Sequence, residues 1–68
     1  MEEAFVVYQD SAFDGPMEES SYASREEAEA EAARLRDEAH SHGHFYIYFD
    51  VRDREDFDRY EAEYLAEH

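Results

Sequence analysis

The 68-residue sequence contains no cysteine, lysine or tryptophan, and it has only two glycines and one proline. Without cysteine, the chain has no disulfide framework, no thiolate metal ligand and no thiol nucleophile. It also lacks a Gly-x-Ser-x-Gly motif and a glycine-rich phosphate-binding loop. These absences favour a non-enzymatic protein without a cofactor, stabilised by packing or by oligomerisation.

Long apolar runs are absent as well. No stretch of the sequence approaches the ~20 apolar residues that a membrane-spanning helix requires. The first residues, Met1, Glu2 and Glu3, lack the basic region and apolar core of a signal peptide. We therefore expect a soluble cytoplasmic protein with no membrane partner. A chain of this length is near the lower limit for an independent core, so residues 1–68 are expected to form a single domain.

Negative charge is the most prominent property that the sequence does have. Twenty Asp and Glu residues oppose six Arg residues, which gives a formal net charge of −14. Such a charge repels nucleic acid and attracts cationic surfaces, so we expect a basic protein surface as the partner and no direct nucleic-acid binding. Disordered acidic chains are poor in aromatic residues, whereas this chain is 16% aromatic. It is therefore expected to fold.

The densest apolar stretch, residues 44–51, predicts the strand around which the core is organised. Alternation along a strand places Phe45, Ile47, Phe49 and Val51 on the core face. The opposite face then carries His44, Tyr46, Tyr48 and Asp50. Residues 4–9 predict another strand, and residues 17–23 a shorter one that pairs with it through a turn at Gly15 and Pro16.

Two helices are predicted from their capping residues and apolar spacing. Ser24 and Glu27 form a capping box for a helix over residues 25–41, which Gly43 ends. The inward stripe of this helix is Ala28, Ala32, Leu35 and Ala39. Asp53 is expected to cap the second helix, whose apolar positions are Phe57, Tyr60, Tyr64 and Leu65. This order predicts an α+β fold, with a small antiparallel sheet of about three strands and two helices packed on one face.

The outward carboxylates of both helices are candidate partner-binding groups. On the first helix they are Glu26, Glu27, Glu29, Glu31, Asp37 and Glu38. On the second helix they are Asp56, Asp58, Glu61, Glu63 and Glu67. Residues three or four apart on a helix lie ~5–6 Å apart. The phosphates of one DNA strand rise ~3.4 Å per step, and their through-space spacing is longer than this rise. Carboxylates in helical rows can therefore imitate a phosphate backbone.

Two ordinary explanations compete with this mimicry. The acidic faces could serve only solvation, but a merely soluble helix would intersperse Lys with its Glu, and this chain has none. A halophilic origin would also explain many acids and little Lys. The abundance of large aromatic residues argues against salt adaptation, which we would expect to reduce them.

Tyrosine and histidine supply two further candidate sites. Tyr46 and Tyr48 share the outer face of the aromatic strand, with Tyr8 expected beside them, and they form either an interface patch or ordinary half-buried tyrosines. A homodimer through this face would supply additional burial. Three histidines near a turn are weak candidates for a metal site, since their spacing matches no specific motif and a polar turn explains them equally. They are His40, His42 and His44.

The small size, the lack of cysteine, the acidity and the compact order of strands and helices together resemble the small phage-encoded anti-CRISPR proteins. They are also similar to the DNA-mimicking inhibitors of restriction and repair enzymes. The resemblance covers the whole chain through composition and architecture, and it brings no family site residues with it. It implies stoichiometric binding to a bacterial defence complex in the host cytoplasm, with the acidic helices blocking the Arg/Lys path of target DNA. The alternative is a small acidic structural or assembly protein, dimeric through its tyrosine face, whose acidity serves solubility or salt adaptation.

Overall fold

The computed structural model describes residues 4–11, 15–45 and 47–67. Five elements follow one another along the chain: β1 (Phe5–Ser11), β2 (Gly15–Tyr22), α1 (Arg25–Ser41), β3 (Ile47–Asp53) and α2 (Arg54–Glu67). The predicted α+β class, with a three-stranded antiparallel sheet and two helices, is confirmed. Neither described helix has the length and apolar character needed to cross a membrane.

The sheet has the strand order β2-β1-β3. Both outer strands run antiparallel to β1, so β2 and β3 are parallel to each other, and α1 crosses over β1 to connect them. The aromatic strand β3 therefore lies at an edge, and the centre is β1. In β2 the pairing passes from Ser20 opposite Val7 to Glu18 opposite Tyr8, which leaves Glu19 as the extra residue of a β-bulge.

The central strand is apolar on both of its faces. Val6 and Val7 are both 0% exposed, although neighbouring side chains of a strand point in opposite directions. Val7 packs with Ala28 and Ala32 of α1, whereas Val6 packs with Phe57 of α2. The helices therefore cover opposite faces of the sheet, and the prediction that both pack on one face is wrong. A central strand with two apolar faces needs a cover on each side.

The helix ends follow the predicted capping residues. The backbone N–H of Glu27 donates to Ser24 Oγ over 3.2 Å at the start of α1. At its end the His44 N–H donates to the Ala39 carbonyl over 2.8 Å, and Gly43, with φ of 75°, takes the left-handed conformation of a Schellman motif. The predicted bounds of α1 are confirmed. Asp53 also caps α2 as predicted, since its Oδ1 accepts the Asp56 N–H over 2.8 Å.

The inward stripe of α1 is confirmed, while that of α2 needs one correction. Ala28, Ala32 and Ala39 are buried, and Leu35 packs at the margin of their cluster. On α2, Phe57 is buried and Tyr60 and Tyr64 are half-buried, but Leu65 is 67% exposed. Leu65 follows Tyr64 directly, so it lies about 100° around the helix from that ring.

The predicted core face of β3 is correct for three of its four residues. Val51 is buried, and Ile47 and Phe49 are half-buried on the face that α1 covers. Phe45 is 64% exposed, so its placement in the core is wrong. The reason is that β3 begins only at Ile47, and Phe45 lies in the turn after α1 with its ring 5.0 Å from that of His40.

Candidate functional site

The acidic residues of α1 divide into those that pair with arginine and those that do not. Arg34 reaches both Glu31, at 2.6 Å, and Glu38, at 3.0 Å, while Arg25 lies 3.9 Å from Glu29. The hydrogen bonds from Arg34 hold the pKa of Glu31 below its ordinary value. The remaining predicted acids of α1 are exposed and form no ion pair among the described residues. They are Glu26, Glu27 and Asp37.

The acidic residues of α2 divide in the same way. Asp56 lies between Arg59, at 2.8 Å, and Arg52, at 2.9 Å, and hydrogen bonds from both lower its pKa. Asp58 lies 3.6 Å from Arg54. Three acids of α2 have no ion pair in the part of the chain that is described, one of them half-buried and two exposed. They are Glu61, Glu63 and Glu67.

The predicted acidic residues do not form one array. The structure separates them into an α1 surface and an α2 surface, because the helices lie on opposite faces of the sheet. Glu29, Glu31, Glu38, Asp56 and Asp58 are also partly neutralised by arginine. The predicted array is thus reduced to the unpaired carboxylates of each helix.

The C-terminal end of α2 concentrates unpaired negative charge. Glu63 and Glu67 are one turn apart, and the last turn of α2 within the described residues contains no basic residue. Arg59 lies one turn before Glu63, but its guanidinium hydrogen-bonds to Asp56. The carbonyl end of a helix is itself negative, so the macrodipole adds to the charge of these two carboxylates. We call this pair, Glu63 and Glu67, the α2 end.

Each arginine side chain has an acidic partner within the chain. All six of them lie within 4 Å of an acidic side chain, at distances from 2.6 to 3.9 Å. Arg54 joins α2 to β2 by donating to both carboxylate oxygens of Glu18, at 2.8 and 2.9 Å. Arg36 joins α1 to β3 by donating to the Phe49 carbonyl over 2.9 Å. Each guanidinium is therefore partly neutralised by a carboxylate of the same chain.

A groove of about 400 Å³ lies between α1 and the edge strand β3. Its lining includes Phe45, whose exposed ring packs edge-on against His40. It also includes Tyr48, which is 66% exposed and whose side chain lies on the opposite face of β3 from Ile47 and Phe49. Its lining also includes Asp37, from the C-terminal half of α1, and the half-buried Ile47 and Phe49. We call it the aromatic groove. Its formation depends on how α1 crosses the sheet, so sequence reasoning identified Asp37 as a candidate but not its position in a groove with Phe45.

The tyrosines do not form the predicted exposed face. Tyr8 is only 4% exposed, because α2 covers it with the rings of Phe57, at 5.3 Å, and Tyr60, at 5.8 Å. Its hydroxyl accepts a hydrogen bond from Arg52 Nε over 2.9 Å. The strand register places Tyr8 and Tyr48 on the same face of the sheet, as expected, but α2 buries Tyr8, so the expected open tyrosine surface is wrong. Tyr46 falls outside the described residues.

The histidines at the end of α1 do not converge. The ring of His40 packs edge-on against Phe45, and the rings of His42 and His44 are 6.1 Å apart. Across residues 4–11, 15–45 and 47–67, no group of three or more potential ligand side chains is arranged to hold a metal ion.

The fold and these surfaces define a small α+β domain with two acidic helix surfaces and one aromatic groove. No protein-family model matches the chain, and the comparisons with curated proteins and with solved structures find no match either. Because a fold alone does not imply a function, the function has to be argued from the surfaces themselves.

Proposed function

We propose that the protein is a non-enzymatic inhibitor that binds the basic nucleic-acid site of a bacterial defence complex of the CRISPR-Cas type. In this proposal its carboxylates take the place of nucleic-acid phosphates. The net charge of −14 supports a cationic partner. The pairing of every arginine with a carboxylate of the same chain supports the same conclusion, because each guanidinium is already partly neutralised.

The observation that carries the proposal is the composition of the α2 end. Like charges four residues apart destabilise a helix by about 0.2–0.5 kcal/mol, and an acid near the carbonyl end by a further ~0.3–1 kcal/mol. Glu63 and Glu67 combine both effects. The last turn within the described part of α2 holds no basic residue, and Arg59, one turn earlier, attracts Glu63 but hydrogen-bonds to Asp56. Residues that lower stability are typical of functional surfaces.

Spacing also favours the α2 end over the α1 surface. Glu63 and Glu67 are one turn apart, so their Cβ atoms lie about 5–6 Å from each other. Neighbouring phosphates of one DNA strand rise ~3.4 Å per step, and their through-space spacing is longer than this rise. On α1, Glu26 and Asp37 are eleven residues apart, which corresponds to about 16 Å along the helix. The α2 end is therefore the better imitation of consecutive phosphates.

Displacement by DNA tests the proposal. The protein is immobilised and exposed to lysate from a bacterium that carries a CRISPR-Cas system, and bound proteins are eluted either with duplex DNA or with polyglutamate of equal charge. We expect duplex DNA to release a nucleic-acid-binding complex more effectively, and retention to decrease as salt increases. If polyglutamate elutes the same proteins equally well, general ion exchange replaces mimicry as the explanation.

Variants of the two helices then locate the binding surface on the purified complex. Glu63→Gln with Glu67→Gln is expected to weaken inhibition of DNA binding about two- to tenfold, as expected for the loss of two exposed ion pairs. The matched control, Glu26→Gln with Glu27→Gln, removes the same charge from α1 and should have little effect. The α2 variant should also be more stable than the parent, because the unfavourable charges are gone. Equal losses from both variants would contradict the assignment to α2.

A further inference from the structure

We infer that the aromatic groove binds an arginine side chain presented by a basic partner protein. The groove combines apolar side chains of β3, the exposed ring of Phe45 and one carboxylate, and Arg36 and His40 also line it. An arginine side chain has matching parts, since its stem packs on apolar surface and its planar guanidinium stacks on aromatic rings and pairs with carboxylates. The groove is separate from the α2 end, so this inference does not depend on the proposed function.

Asp37 is the carboxylate available to such a ligand. It lines the groove and forms no ion pair among the described residues. Its neighbour Arg36 also lines the groove, but that guanidinium is already engaged. It donates to the Phe49 carbonyl over 2.9 Å and lies 3.9 Å from Asp50. The resident arginine therefore leaves Asp37 open to a cation from outside.

Charge complementarity selects this occupant over the other ones that an apolar groove suggests. A second copy of the chain would bring two molecules of charge −14 together, and an anionic ligand would meet the same repulsion. A neutral apolar segment would cover Asp37 without supplying a partner, which carries a desolvation penalty. A cationic side chain gains Asp37 as its partner, and the guanidinium of Arg36 in the lining is already within 3.9 Å of Asp50. Arginine is preferred to lysine because lysine is a compact, strongly hydrated charge that does not stack.

Backbone amide shifts of the nitrogen-15-labelled protein test the inference directly. The probes are acetylated, amidated tetra-arginine and tetra-lysine peptides, which carry equal charge. A neutral peptide, acetyl-Gly-Phe-Gly-amide, reports apolar binding. We expect tetra-arginine to give saturable shifts centred on Asp37, Phe45 and Phe49, with an affinity about two- to fivefold higher than that of tetra-lysine.

Variants of exposed groove residues separate the contributions without disturbing the core. Asp37→Asn should weaken tetra-arginine binding about two- to fivefold, while Glu26→Gln, an exposed acid of the same helix outside the groove, should change it little. Phe45→Leu retains apolar surface but removes the ring. It should reduce the preference for arginine over lysine.

Four results would each overturn the inference. The first is tetra-arginine shifts spread over all exposed acids, with equal effects of Asp37→Asn and Glu26→Gln. The second is equal binding of the two charged peptides with no effect of Phe45→Leu. The third is groove binding by the neutral peptide as tight as that by tetra-arginine, which would mark an apolar site. The fourth is concentration-dependent groove shifts without peptide, which would mark self-association.

Discussion

The hydroxyl of Tyr60 ties α2 to the central strand. It donates to Asp10 Oδ2 over 2.5 Å, and the guanidinium of Arg52 lies 4.3 Å from the centre of the Tyr60 ring. The hydrogen bond to Asp10, together with burial, raises the pKa of Tyr60 to about 12. The neutral phenol is therefore the form that the fold stabilises.

Tyr60→Phe should lower the free energy of unfolding by about 1.5 kcal/mol, because the hydrogen bond has a charged acceptor. Urea unfolding measures the change, which should appear in the midpoint and not in the slope. Tyr48→Phe is the matched control, since its ring is exposed and the change should be small. Equal effects of both substitutions would contradict this role for Tyr60.

The raised pKa of Tyr60 predicts a loss of stability at alkaline pH. An unfolded tyrosine has a pKa of ~10, and the folded Tyr60 has a pKa of about 12. Its contribution is therefore complete below ~pH 10 and disappears as pH rises through the folded value, since the unfolded chain releases its proton first. The difference in unfolding free energy between the parent and Tyr60→Phe should shrink above ~pH 10. A constant difference would show that the proton of Tyr60 is not involved.

At the scale of the elements, one ion pair connects the edge strand β2 to α2. Arg54 holds both oxygens of Glu18, and its hydrogen bonds lower the pKa of Glu18. The pair is partly exposed, so Glu18→Gln should cost only about 0.5–1 kcal/mol at neutral pH. Glu19→Gln is the control, because the neighbouring Glu19 is exposed and forms no ion pair among the described residues.

The contribution of the Glu18–Arg54 pair to stability should decrease as the pH falls. A carboxyl group whose pKa is lowered by folding stabilises the protein above its unfolded pKa, which is ~4.3 for Glu, and loses that effect as pH falls through the folded value. The difference between the parent and Glu18→Gln should therefore vanish in strongly acidic solution. A difference that persists there would have to arise from something other than the ion pair with Arg54.

Gly15 contacts the C-terminal half of α2 and, like Pro16, belongs to the start of β2, so the turn predicted at these two residues is wrong. Both Gly15 and Gly43 have positive φ, of 76° and 75°, but a Cβ on Gly15 would collide with the ring of Tyr64, whereas one on Gly43 would meet nothing within 4 Å. Gly43→Ala should therefore cost about 1 kcal/mol for the left-handed backbone alone. Gly15→Ala should cost more, because Tyr64 must also move.

A double-mutant cycle isolates the part due to Tyr64. In a Tyr64→Ala background the cost of Gly15→Ala should fall to that of Gly43→Ala, since the ring is absent. Urea unfolding of the four proteins gives the coupling energy. If the two glycine substitutions lower the free energy of unfolding equally in the parent protein, the contact between Gly15 and Tyr64 has no energetic weight.

For the whole molecule, unbalanced charge should make stability depend on salt. Twenty acids against six arginines repel one another in the compact state, and the exposed ion pairs that salt also weakens are worth little. The Debye length falls from ~30 Å at 0.01 M to ~8 Å at 0.15 M salt. The thermal midpoint should therefore rise by about 5 °C over this range, equivalent to ~1 kcal/mol for a domain of this size. The variant with Glu63→Gln and Glu67→Gln should show a smaller rise.

The salt concentration at which the thermal midpoint stops rising distinguishes charge screening from salt adaptation. Screening is nearly complete at ~1 M salt, where the Debye length is only ~3 Å. A protein acidic for partner binding should therefore reach a plateau below that concentration. A midpoint that continues to increase in multimolar salt would favour adaptation to a saline environment.

Ion pairs between residues three or four apart on a helix could be predicted from the sequence. Arg34 lies three residues from Glu31 and four from Glu38, so helical spacing alone brings these groups together. The pair of Glu18 and Arg54 spans 36 positions and depends on the packing of α2 against β2. Sequence reasoning could therefore count the surplus of carboxylates but could not state which ones remain unpaired.

The sequence by itself determined the elements, because capping and periodicity act within a few residues. Ser24 and Gly43 mark the ends of α1, and Asp53 marks the start of α2. Only the tertiary structure decided which face each helix covers, since Val6 and Val7 make both faces of β1 equally apolar. That choice separates the acidic helices, buries Tyr8 and leaves Phe45 beside Asp37 in an open groove. Such contacts between distant parts of the chain depend on how the layers stack, and no local pattern encodes the stacking.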